Sequence, residues 1–136
     1  MKTLQRNILL TLMIAILGIA SVQAGDKKAP AITIAERSHS FGIIHENGGP
    51  VSYEFKFKNT GDAPLVIISA NASCGCTRPS YPQAPIKPGK TGTIKVTYLP
   101  KGRPGEFNKT VKVRTNDPHH KRVNLKISGN VVPAGK

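Results

Sequence analysis

The sequence predicts an all-β protein, an immunoglobulin-like antiparallel β-sandwich of about seven strands, and three observations carry that reading. Short segments alternate apolar and polar residues with a period of two. Turn residues separate these segments at intervals of roughly ten residues. Eleven prolines and thirteen glycines leave no sustained helical period after the N-terminal leader. A small closed barrel is the alternative architecture.

Taken in order, the apolar runs Ile32 to Ile34 and Phe41 to Ile44 are the first two candidate strands. Val51 to Lys58 follows Asn47-Gly48-Gly49-Pro50 and alternates without a fault. Val51, Tyr53, Phe55 and Phe57 share one face, and Glu54, Lys56 and Lys58 the other, which describes a half-buried strand. Asn59-Thr60-Gly61-Asp62 turns the chain into the short run Leu65 to Ile68. After Lys87-Pro88-Gly89, Thr93 to Tyr98 places Ile94, Val96 and Tyr98 inward with Lys95 outward. Beyond Lys101-Gly102-Arg103-Pro104-Gly105, Val111 and Val113 oppose Lys112 and Arg114. Asn116-Asp117-Pro118 then leads into a strand with Val123, Leu125 and Ile127 inward. Antibody-type domains bridge their sheets with cysteines far apart in sequence; the only two here, Cys74 and Cys76, are separated by one glycine. The core must therefore rest on apolar packing.

Three blocks carry a resemblance. They are Phe55-Lys56-Phe57-Lys58-Asn59-Thr60-Gly61-Asp62-Ala63-Pro64-Leu65-Val66-Ile67, then Ser73-Cys74-Gly75-Cys76-Thr77, then Pro85-Ile86-Lys87-Pro88-Gly89-Lys90-Thr91-Gly92-Thr93-Ile94-Lys95-Val96. Together they resemble the secreted bacterial family called domain of unknown function 1573. The closing run from Thr115-Asn116-Asp117-Pro118 to Ser128-Gly129-Asn130-Val131 is similar to immunoglobulin-like modules of the ASPM, SPD-2 and hydin group. The resemblance implies the sandwich and an envelope location, and it implies no activity.

The ends set the compartment. Lys2 and Arg6 precede an uncharged run from Ile8 to Ala20, and small residues stand at Val22 and Ala24. This reads as a secretory signal peptide over residues 1–24, too short to span a membrane. A flexible lead over 25–30, a sandwich over 31–132 and a tail over 133–136 complete the expected organisation. With Lys2 and Arg6 removed and all seven acids retained, the net charge falls from +13 to +11. Such a surface favours anionic partners and keeps the chain monomeric. The lack of tryptophan and the few other aromatic residues remove the material for stacking on bases, so nucleic acid is not an expected partner.

Chemistry concentrates at Cys74-Gly75-Cys76. A bond between residues two apart needs a bend, for which Gly75 offers positive-φ freedom, and the small ring would be strained and readily reduced. Four readings stay open: a local disulfide or packed thiols that stiffen the loop, a redox pair with Arg78 nearby, capture of Cu(I) by two thiolates, or a cross-link to another chain. His119 and His120 read as solvated turn residues, and His39 and His45 as strand-edge positions. No serine nucleophile elbow, hydrolase-like carboxylate pair or phosphate loop appears, so no enzyme is expected. If Phe107 to Thr115 and Arg122 to Ile127 form a hairpin, Lys112, Arg114, Arg122 and Lys126 share its outward face. Facing like charges cost stability unless they splay into water or meet an anion. An envelope protein, an anionic polysaccharide or a lipid headgroup would suit them. The expected role is that of a secreted, periplasmic binding or structural module, with thiol or copper chemistry as the rival.

Overall fold

A computed structural model describes residues 27–134, and the signal peptide assigned to residues 1–24 lies outside them. Eight strands occur in the order β1 (Ile32–Ile34), β2 (Ser38–His45), β3 (Val51–Asn59), β4 (Ile67–Ala72), β5 (Thr77–Ser80), β6 (Thr91–Tyr98), β7 (Gly105–Thr115) and β8 (Arg122–Val132). They form two four-stranded sheets, β1-β3-β6-β5 and β2-β8-β7-β4. The architecture is the all-β sandwich that the alternation predicts.

The inward faces are those read from the sequence. Phe55 and Phe57 of β3, Ile94, Val96 and Tyr98 of β6, Val111 and Val113 of β7, and Val123, Leu125 and Ile127 of β8 are all buried. The rings of Tyr98 and Phe107 stack across the core with centroids 3.8 Å apart, joining the two sheets. Burial of side chains this large is the dominant stabilising term, at about 1.5–3 kcal/mol each.

Three features depart from the sequence reading. The β2–β8 pair is parallel, because the chain leaves the first sheet after β1, crosses at Ala35–Arg37 and joins the edge of the second beside the last strand. A register shift between Ser40 and Ile43 accompanies this pairing, with Gly42 at φ 68° in the left-handed region that glycine tolerates. The eighth strand, β5, pairs with the end of β6 and follows directly on Cys76. The apolar run Leu65 to Ile68 is not one strand: Leu65 forms an isolated bridge with Ile86, and β4 continues instead to Ala72.

A buried polar side chain fixes the loops at this end. Asn59 is fully buried; its Nδ2 donates to the carbonyls of Ala63 and Ile86, and its Oδ1 accepts from the N–H groups of Ala31 and Gly61. All four side-chain bonding positions are thereby used. Residues 29 and 30, placed by the sequence reading at the end of a flexible lead, are held against this loop, with Ala29 and Asp62 bonded in both directions. A Cβ on Gly61 would lie 2.3 Å from the Ala29 carbonyl oxygen, so only glycine permits that approach.

Candidate functional site

The hairpin of β7 and β8 aligns Arg114 directly with Arg122, Lys112 with Asn124, and Thr110 with Lys126. Inward Val111, Val113, Val123 and Leu125 alternate with these positions, so period-two geometry sends all four bases to the outer face. Lys112, Arg114, Arg122 and Lys126 are exposed there, within a patch about 13 Å long on adjacent strands. Among the described residues none of them is ion-paired; the one close charge pair is His120 with Asp117. Directly opposed like charges repel, and the Arg114–Arg122 pair has no acid to offset this. By contrast, the outer face of the first sheet sets Glu54 opposite Lys95.

Sequence reasoning missed two neighbours of this patch. Ile68 sits at the bulge in edge strand β4, where the register shifts between Ile67 and Ser69, and it is 50% exposed. Lys121 precedes β8. Together with Arg114, Thr115, Asn116 and Arg122 they line a surface cleft of about 290 Å³. Only the excess apolarity of Ile67-Ile68 before a polar strand hinted at this, since a bulge leaves no local signature.

The turn between β7 and β8 is held by Asp117, which is fully buried. Its Oδ2 accepts from the Ile32 N–H at 2.9 Å and lies 3.1 Å from His120 Nδ1; its Oδ1 accepts from the His119 N–H at 2.8 Å. Burial by itself pushes this carboxyl up, but the bonds from Ile32, His119 and His120 outweigh it and hold the pKa below the ordinary value. His120 is thus a partner of Asp117 and not merely a solvated turn residue. His39 on β2 stacks on Tyr53 with centroids 3.7 Å apart.

Cys74 and Cys76 form a disulfide with Cα atoms 5.1 Å apart. The bend is a turn closed by the Thr77 N–H donating to the Cys74 carbonyl. Gly75 stays outside the left-handed region and a Cβ there would meet nothing within 4 Å, so the expected need for positive φ does not apply. Cys76 is buried in the core and Cys74 is half-buried. Arg78 is exposed on the following strand, whereas its neighbour Thr77 is buried with Cys76. A thiolate attacking Cys74 would expel the Cys76 sulfur as an anion into apolar surroundings, where charge is disfavoured. In the bonded form neither sulfur is a thiolate, the form that binds Cu(I).

Two stacked four-stranded sheets, with the chain switching sheets after β1 and β2 pairing parallel to β8, define an immunoglobulin-like β-sandwich. The family model described as "Protein of unknown function (DUF1573)" matches residues 32–131, and the chain belongs to that family. The fold is similar to a protein of unknown function from Porphyromonas gingivalis W83, with TM-score 0.66, 14% identity, and 76% of this chain and 47% of that one covered. The chain spans about half the length of that protein. It is also similar to PapD-like domain 7 of human CEP192, with TM-score 0.59, 16% identity and coverage of 79% and 89%. The periplasmic chaperone SfaE matches with TM-score 0.50, 14% identity and coverage of 77% and 59%. No protein of curated function matches the sequence. Among the described residues no helix is long and apolar enough to cross a membrane.

Proposed function

We propose that the protein is an extracytoplasmic binding module whose working surface is the outer face of the second sheet, where Lys112, Arg114, Arg122 and Lys126 engage an anionic partner. One observation carries this reading: Arg114 and Arg122 are direct cross-strand partners without an ion-paired acid, an arrangement that an anion would relieve. The signal-like residues 1–24 support the location outside the cytoplasm.

The test is retention on dextran sulfate as salt is raised. A variant with all four bases changed to glutamine elutes at much lower salt than the parent, and lower than a charge-matched variant at Lys56, Lys58, Arg78 and Lys95 of the opposite face. Equal elution of the two variants reduces the basic face to a device for solubility.

Thiol exchange or Cu(I) capture at Cys74 and Cys76 is the second reading, favoured by the partial exposure of Cys74. Burial of Cys76 supports a static link over either reaction. Rapid reduction by glutathione under native conditions, followed by uptake of Cu(I), would reverse that order.

A further inference from the structure

We propose that the cleft at the β7–β8 turn takes a phosphate headgroup and docks the protein on an anionic phospholipid bilayer. The proposal rests on the outer face of the second sheet being an anion-binding surface. Arg114 and Arg122 approach from adjacent strands at one register position, and Lys121 lines the same cleft. Two guanidinium forks and an ammonium suit the several oxygens of a phosphate, which guanidinium groups bind in bidentate fashion.

Ile68 selects the source of that phosphate. It shares the cleft with three cations and keeps half its surface exposed, an apolar group with no role toward a soluble anion. Ile43 is 71% exposed on β2, the opposite edge strand of the same sheet, and its register partner Asn130 is an exposed, outward position of β8. These two are the exposed large apolar side chains of the described residues, and both border the sheet that carries Lys112 and Lys126 between them. Bases at headgroup level flanked by apolar residues that enter the acyl boundary match an interfacial surface. The outward positions of β7 and β8 carry no aromatic ring on which a sugar chain could stack.

Co-sedimentation with vesicles tests the proposal, using phosphatidylglycerol and phosphatidylcholine at 3:7 against phosphatidylcholine alone. The protein pellets with the anionic vesicles only, and less as salt rises. Each base near the surface contributes about fivefold to partitioning, so Arg114→Gln/Arg122→Gln weakens it about 25-fold. Arg114→Gln alone, about fivefold weaker, serves if the double variant does not fold. Ile68→Ala weakens vesicle binding about fivefold and leaves retention on dextran sulfate unchanged. Lys56→Gln/Lys95→Gln, on the far face, has the smaller effect. Unaltered vesicle binding by Ile68→Ala overturns lipid docking, as does equal pelleting with both vesicle types. Retention on dextran sulfate that depends on the four bases, without any vesicle binding, overturns the lipid proposal alone and points to a soluble polyanion. Loss of both removes the anion-binding reading as well.

Discussion

Replacing Asp117 measures how firmly the turn that carries the basic cleft is built. The carboxylate is buried and accepts from a strand residue 85 positions away, Ile32, as well as from His119 and His120. Alanine would leave the Ile32 N–H buried without an acceptor, a loss of about 1–3 kcal/mol. The two remaining bonds to a charged acceptor bring the total to about 3–5 kcal/mol, or about 12–20 °C in thermal midpoint for a domain of this size. The pH dependence has a definite sign. Because the folded-state pKa is depressed, the stabilisation is fully present above the ordinary carboxylate range near pH 4 and is lost as pH falls through the depressed value. Asp117→Asn removes that titration while nearly preserving shape. Urea unfolding at pH 7, 5 and 3 should show the gap between parent and Asp117→Asn constant from pH 7 to 5 and smaller at pH 3. A gap that does not narrow, or a loss below about 1 kcal/mol for Asp117→Ala at pH 7, would refute the account.

Phe55→Ala and Ile94→Ala should each lower stability by about 2–5 kcal/mol in denaturant titrations, while exposed Lys56→Ala changes little. The double replacement of Cys74 and Cys76 by serine should lose only about 1–2 kcal/mol: so short a loop removes little entropy from the unfolded chain, and the loss comes from a hydroxyl buried at position 76. A cost near 4 kcal/mol would mean that the bond itself holds the sheets. Gly61→Ala should unfold the protein at much lower temperature, because its Cβ would strike the backbone of residues 29–31, whereas Gly75→Ala should leave the midpoint within a few degrees.

Features with a local cause were legible in the sequence. Alternation alone placed Val51 to Phe57, Ile94 to Tyr98 and the β7–β8 hairpin on their correct faces, and with them the four outward bases, since each depends only on neighbours two residues apart. What remained hidden is non-local. Nothing in Phe41 to Ile44 says that its partner is the last strand and runs in the same direction. Strand β5 has four residues, one of them Pro79, and lacks a readable period. Asn59 and Asp117 looked like ordinary turn residues, and only the packed structure shows them tying distant loops. Ile68 read only as the end of an apolar run, and nothing local marks the bulge that leaves it exposed.

The position of β8 between β2 and β7 bears on how the chain is made. As the chain emerges N-terminus first, β2 appears early and waits for its partner until β3 to β7 have all appeared. The first sheet can assemble beforehand, since β1, β3, β5 and β6 all precede Pro100. The second is then an open pair, β7 with β4, in which the edge of β7 that β8 will occupy is unpaired. Closure is thus deferred until β8 has appeared, and long-range strand pairing of this kind is slow, on the scale of milliseconds to seconds. A chain lacking β8 would present an unpaired strand edge as well as being incomplete, and a single nonsense codon near Arg122 would strip β2 and β7 of their shared ladder partner in one step.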